Sequence, residues 1–143
     1  MRPVPQADRD SAPWWEGLGR HELLVQRCEG CGARRWPPRA ICNRCWSLEW
    51  TWLAASGRAT VASWIVNRHR FIPSLESPYT VVLGRLEEQE DILIPGAWGG
   101  RPDGSELAVG LPIDAGFEDL PVDPAGGGGS QPLAVIRWQA AGR

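Results

Sequence analysis

From residue 50 onward, apolar and polar positions alternate in short runs separated by turn residues, the pattern of successive β-strands. WTWLAAS (50–56) and ATVASWIVNRH (59–69) flank Gly57. YTVVLGRLE (79–87) and DILIPGAW (91–98) read as a hairpin around the acidic turn Glu88-Gln-Glu90, and LPIDAGFED (111–119) and PLAVIRW (132–138) follow as further strands. Gly57 predicts a bulge or sharp bend inside one long, curved strand pair. FIPSLESP (71–78) reads as a loop, Arg101-Pro-Asp-Gly104 as a turn, and PAGGGGS (124–130) as a flexible loop whose GGGGS run is either natural or a linker. About five strands in a compact meander, one bent at a glycine, predict a small Greek-key barrel of the OB type, with an all-β sandwich as the competitor.

Before residue 50 the pattern differs. Ser11-Ala-Pro13 ahead of WWEGL predicts an N-cap, a proline in the first turn and a short helix ending near Gly19. Trp14, Trp15 and Leu18 fall on or near its apolar side. ELLVQR (22–27) is a short strand that delivers Cys28, and ARRWPPRAI (33–41) returns the chain to Cys42, stiffened by Pro37 and Pro38. The expected organisation is a flexible tail over 1–12, a helix and ribbon over 13–47, and a barrel domain over 48–143.

The strongest chemical signal is the cysteine spacing. Cys28-x2-Cys31 and Cys42-x2-Cys45 use all four cysteines. Each pair lets two thiolates converge from one tight knuckle, and two knuckles face to face complete a tetrahedral shell with bonds of about 2.3 Å. Two disulfides are the alternative, but MRPVPQADRDSAPWW has no apolar export segment, so reduced thiols in the cytoplasm are expected. Zinc is the expected ion, with rubredoxin-type iron as its rival. A closed four-sulfur shell has no open position, so it organises the chain and performs no catalysis itself.

Composition narrows the function classes. The hydrophobic share of 43% and nine tryptophans are enough to fill a core in a chain of 143 residues. No apolar run approaches the ~20 residues that span a bilayer, so no membrane partner is expected. The net charge of -2 conceals an asymmetry. Arg27, Arg34, Arg35, Arg39 and Arg44 face only Glu29 across the ribbon, whereas ten carboxylates between Glu87 and Asp123 face only Arg101. An acidic barrel is poorly suited to a phosphate backbone, so no nucleic-acid partner is expected. A single-stranded nucleic-acid binder nevertheless stands as the alternative class, because ribbons and barrels rich in tryptophan can stack bases. Ser56, Ser63 and Tyr79 lack a nucleophile context, and Gly126 to Gly129 lack the lysine of a phosphate loop. His69 has no local carboxylate to orient it, and His21 is not needed by a complete metal shell.

The order WWEGL, CEGC, RRWPPRAICNRC, SGRATVASWIVNRH and SPYTVVLGRLEE resembles the zinc-ribbon/OB-fold family called domain-of-unknown-function family thirty-five. The resemblance runs from about Trp14 to Trp138, and PPRAICNRC is its most specific piece. It implies a non-catalytic subunit that docks on a thiolase-superfamily partner, such as a lipid-transfer-like aldolase. The partner would cleave or form carbon–carbon bonds on acyl-CoA, in retro-aldol steroid side-chain degradation or in a thiolytic reaction. It further implies acyl-CoA at the shared interface and a heterotetramer. In that setting Arg34, Arg35, Arg39 and Arg44 are candidates for the coenzyme A phosphates, because guanidinium offers a fork of donors. Trp14, Trp15, Trp36, Trp46, Trp50 and Trp52 are the interface candidates. The acidic hairpin and the GGGGS loop depart from the family pattern and leave the partner's identity open.

Overall fold

The computed structural model describes residues 4–121 and 132–142; the GGGGS run lies outside them. It is mainly β, with one short helix. The order is α1 (Ala12–Gly19), β1 (Leu23–Cys28), β2 (Arg34–Arg35), β3 (Trp50–Ala55), β4 (Arg58–Asn67), β5 (Tyr79–Leu86), β6 (Leu93–Trp98), β7 (Pro112–Leu120) and β8 (Leu133–Ala140). Two compact units emerge, one built on Gln6–Ser56 and the other on Gly57–Gly116. β7 passes between them at Gly116/Phe117 and β8 at Val135/Ile136.

In the first unit, Pro13 sits in the first turn of α1, where its missing N–H costs nothing. Ser11 makes no side-chain cap. Asp8 instead accepts the Ser11 amide at 2.7 Å and returns its own amide to Ser11 Oγ at 3.1 Å. The helix ends where the Glu22 amide reaches Gly17 O at 2.8 Å and the His21 amide reaches Leu18 O at 2.9 Å. That closure puts a left-handed residue just past the helix, and here it is His21 rather than glycine. Trp14 and Leu18 of the helix and Leu23 and Val25 of β1 are among the buried side chains of this unit.

β1 is the centre of a three-stranded sheet, β2-β1-β3. β3 runs antiparallel to it from Leu23↔Ala55 to Cys28↔Trp50. The strand over 50–56 therefore joins the ribbon, and the break before the barrel falls at Gly57, with φ +83. The sequence pattern placed it at 48, because an apolar strand does not announce which sheet it will enter.

The second unit holds a closed five-stranded barrel in the order β4-β5-β6-β8-β7. β4 and β5 pair from Ala59↔Leu86 to Asn67↔Tyr79, with a bulge between Val61 and Ser63. β4 closes onto β7 at Ala59↔Ile113, and β6 meets β8 in parallel at Trp98↔Trp138. On β5, Thr80, Val82, Gly84 and Leu86 face inward with period two. Trp138 is fully buried and donates its indole N–H to Ile94 O at 3.1 Å. A Cβ on Gly84 would stand 2.6 Å from that indole, and one on Gly96 2.8 Å. Two glycines thus leave the space that one large ring fills.

The turn after β6 is tied by one carboxylate. Glu106 Oε1 accepts both the Trp98 indole N–H at 2.8 Å and the Arg101 amide at 2.6 Å. Burial opposes ionisation of Glu106, but the Arg101 amide, its own amide and the Trp98 indole hold its carboxyl below the usual range.

Candidate metal centre

Cys28 ends β1, and each Cys-x2-Cys segment forms a knuckle with the same hydrogen-bond pattern. The Gly32 amide donates to Cys28 O at 2.9 Å and the Cys28 amide to Ala33 O at 2.8 Å. In the second knuckle, the Trp46 amide donates to Cys42 O at 3.0 Å and the Cys42 amide to Ser47 O at 3.0 Å. These turns aim two sulfurs from each knuckle at one point.

The four Sγ atoms lie within 4.8 Å of one another, with Cys28–Cys45 at 3.5 Å and Cys31–Cys42 at 3.7 Å. A tetrahedron with Zn–S bonds of 2.3 Å has S···S edges of about 3.8 Å, so the cluster is sized for one zinc ion. The same distances exclude disulfides, whose sulfurs stand about 2 Å apart. All four cysteines are free.

The knuckle amides prepare the sulfurs for a cation. The Arg44 amide approaches Cys42 Sγ at 3.4 Å. The amides of Arg44 and Cys45 bring the Cys42 thiol down to about 6. The Cys31 amide, with help from Cys45 and Gly30 against the effect of burial, lowers Cys28. The Ser47 amide acts the same way on Cys45, but the Cys28 sulfur, burial and the other two sulfurs prevail and push it up to about 12. Four thiolates around a divalent ion carry two net negative charges. The Arg27 guanidinium lies within 3.9 Å of the space a Cβ on Gly32 would take, beside the first knuckle.

The second pillar of the ribbon is Gln26, fully buried on β1, which the sequence reading passed over. Its Oε1 accepts from Arg35 Nε at 2.7 Å and from the Arg39 amide at 2.8 Å, and its Nε2 donates to Arg39 O at 3.2 Å. Arg35 also donates to Arg39 O at 3.0 Å. This network pins the Pro37-Pro38-Arg39 segment that carries the chain back to Cys42. Arg35, only 7% exposed, is committed to it, whereas Arg34 is half-buried and Arg39 and Arg44 are exposed.

The tryptophans divide in the same way. Trp14 is core and packs against Trp36 at 5.3 Å between ring centroids. Trp15, Trp36, Trp50 and Trp52 are half-buried, and Trp46 is 77% exposed. His21, without a partner in the local sequence, meets Asp119 at 2.7 Å and stacks on Phe117 at 5.1 Å. His69 packs edge-on against Phe71.

A four-cysteine ribbon carrying a short helix, in one chain with a closed five-stranded barrel, defines a zinc-ribbon/barrel protein. Residues 15–51 match the family described as ChsH2, rubredoxin-like zinc ribbon domain. The chain aligns with a solved structure described as Ltp2-ChsH2(DUF35) aldolase at 30% identity and TM-score 0.78, covering 96% of this chain and 98% of that one. The chain belongs to this ChsH2/DUF35 family, and its four clustered cysteines are the site of the family's structural zinc. A DUF35 protein of unknown function from Sulfolobus solfataricus shares the fold at TM-score 0.59 and 16% identity, covering 94% of this chain and 87% of that one. Two curated relatives are hydratase subunits. The "Probable enoyl-CoA hydratase alpha subunit" of Thermomonospora curvata is 36% identical over 113 residues, which is 79% of this chain and 34% of that protein. The "3-oxo-4,17-pregnadiene-20-carboxyl-CoA hydratase alpha subunit" of Mycobacterium tuberculosis is 33% identical over 117 residues, 82% of this chain and 36% of that protein. The chain thus spans about a third of the length of these curated relatives. Among the described residues, no helix is long and apolar enough to cross a membrane.

Proposed function

We propose that this chain is a zinc-organised accessory subunit that docks on a thiolase-superfamily partner of the Ltp2 type and helps form that partner's acyl-CoA site. The complex cleaves a carbon–carbon bond by retro-aldol chemistry on a steroid side-chain acyl-CoA. The observation that carries this reading is the full-length match to a chain of the Ltp2-ChsH2(DUF35) aldolase. The hydratase relative named for a pregnadiene carboxyl-CoA supports the substrate class. The barrel is read as OB-type from its strand order and parallel β6–β8 pairing.

In this reading the zinc holds the two knuckles rigid, and the arginines of the ribbon meet the phosphates of coenzyme A. Arg34, Arg39 and Arg44 are the residues for that task, being half-buried or exposed, while Arg35 is buried in the ribbon. The partner supplies the acid and base groups. Two copies of each chain form a heterotetramer, and the complex works in the cytoplasm.

The test is co-expression with a thiolase-like protein of the Ltp2 type. Capture of that protein, and acyl-CoA cleavage that needs both chains, supports the proposal. Turnover by the partner alone at the same rate, or failure of the two to associate, overturns it. Arg34→Ala with Arg39→Ala and Arg44→Ala should weaken acyl-CoA binding by the complex while leaving assembly intact.

A further inference from the structure

The two zinc knuckles are twins in backbone geometry but not in sequence. The residue after the second cysteine of each knuckle donates the same hydrogen bond and takes the same left-handed conformation. In the first knuckle it is Gly32, at φ +74; in the second it is Trp46, at φ +67. Glycine adopts this conformation freely, whereas a large side chain is strained there. Strain of this kind persists where the surroundings enforce it, and it concentrates at functional positions.

Among the described residues, two non-glycine residues have positive φ, His21 and Trp46. His21 spends its side chain internally, on Asp119 and Phe117. Trp46 does not: it is 77% exposed, so the fold gains little burial from the residue it strains to hold. Ile41 at 47% and Leu48 at 65% exposure are further exposed apolar side chains of the same segment. Arg39 and Arg44, both exposed, lie in the same stretch, with Glu49 as the acid. An apolar centre with a cationic rim is complementary to a protein pocket with an acidic rim. Along its full length this chain matches one that is solved in a two-protein assembly.

We infer that Trp46 is the anchor by which the second zinc knuckle docks into an apolar, acid-rimmed pocket of the thiolase-like partner. This rests on the proposed function and adds the residue and the surface through which it acts. The zinc ion's role in docking is then to hold one indole out into solvent at a fixed angle.

The experiment compares wild type, Trp46→Gly and Trp46→Phe, all zinc-loaded, for thermal stability and for binding to a purified thiolase-like protein of the Ltp2 type that forms the complex with wild type. Trp46→Gly is expected to melt at the wild-type temperature or a few degrees above it, because strain is relieved and no core is lost. The same variant is expected to bind at least about 30-fold more weakly, the size of an aromatic hot spot, with Trp46→Phe in between. A destabilised Trp46→Gly would mark Trp46 as structural and overturn the inference. Undiminished binding by Trp46→Gly would overturn it while leaving the accessory-subunit reading intact. Finding no such protein that binds wild type would overturn both. A dimer of the chain alone that dissociates on Trp46→Gly would give the ring a different occupant and equally overturn the inference.

Discussion

Gln26→Leu probes the network that carries the chain from one knuckle to the other. The substitution keeps the side chain's approximate volume but removes the acceptor of the Arg35 Nε–H and of the Arg39 amide, and one donor to Arg39 O. A buried charged donor and a part-buried amide lose their partner, at about 1–3 kcal/mol each, with the guanidinium toward the upper end. The expected loss is therefore about 3–5 kcal/mol, or a fall in Tm of roughly 10–20 °C for a domain of this size. Arg35→Met alone leaves Gln26 Oε1 one donor short and should also destabilise the ribbon. The double variant removes both ends of the pair, so it should cost clearly less than the sum of the single changes. Thermal melts of the zinc-loaded proteins measure all three. A shift under about 3 °C for Gln26→Leu, or strict additivity in the cycle, would refute the assignment of this network as the brace of the second knuckle.

Gly84→Ala drives a methyl to within 2.6 Å of the buried Trp138 indole, so it should cost about 1–3 kcal/mol or more in a chemical-denaturation titration. Cys42→Ser should abolish stoichiometric zinc by elemental analysis and leave a ribbon more readily cut by protease. The lowered Glu106 carboxyl contributes stability that is fully present above its unfolded-state value and fades as the pH falls through the lower folded-state one. Glu106→Gln should flatten this acid limb, and an unchanged stability-versus-pH curve would argue against the paired Trp98 and Arg101 contacts.

What the sequence revealed follows from how far each cause reaches along the chain. The metal ligands were legible because Cys-x2-Cys is a local geometry, with both sulfurs of a knuckle set by one turn. Helix α1 and the hairpin of β5 and β6 were legible for the same reason: Pro13 and the turn before Asp91 act over a few residues. The pairing of β3 with β1 was not, because its decisive partner is the register Leu23↔Ala55, and a strand's alternation is indifferent to which sheet receives it. Arg35 looked like its arginine neighbours until folding placed Gln26 beside it. His21 and Asp119 are separated by 98 residues, so no window could join them. Nothing local explains the glycines at 84 and 96, and only the closed barrel shows that Trp138 takes their space.

Native mass spectrometry of this chain co-expressed with a thiolase-like protein of the Ltp2 type reads metal and partner together. The account expects a species with equal copies of both chains and one zinc ion for every copy of this one. A complex that assembles without zinc, or a zinc-loaded chain that remains alone, would contradict it.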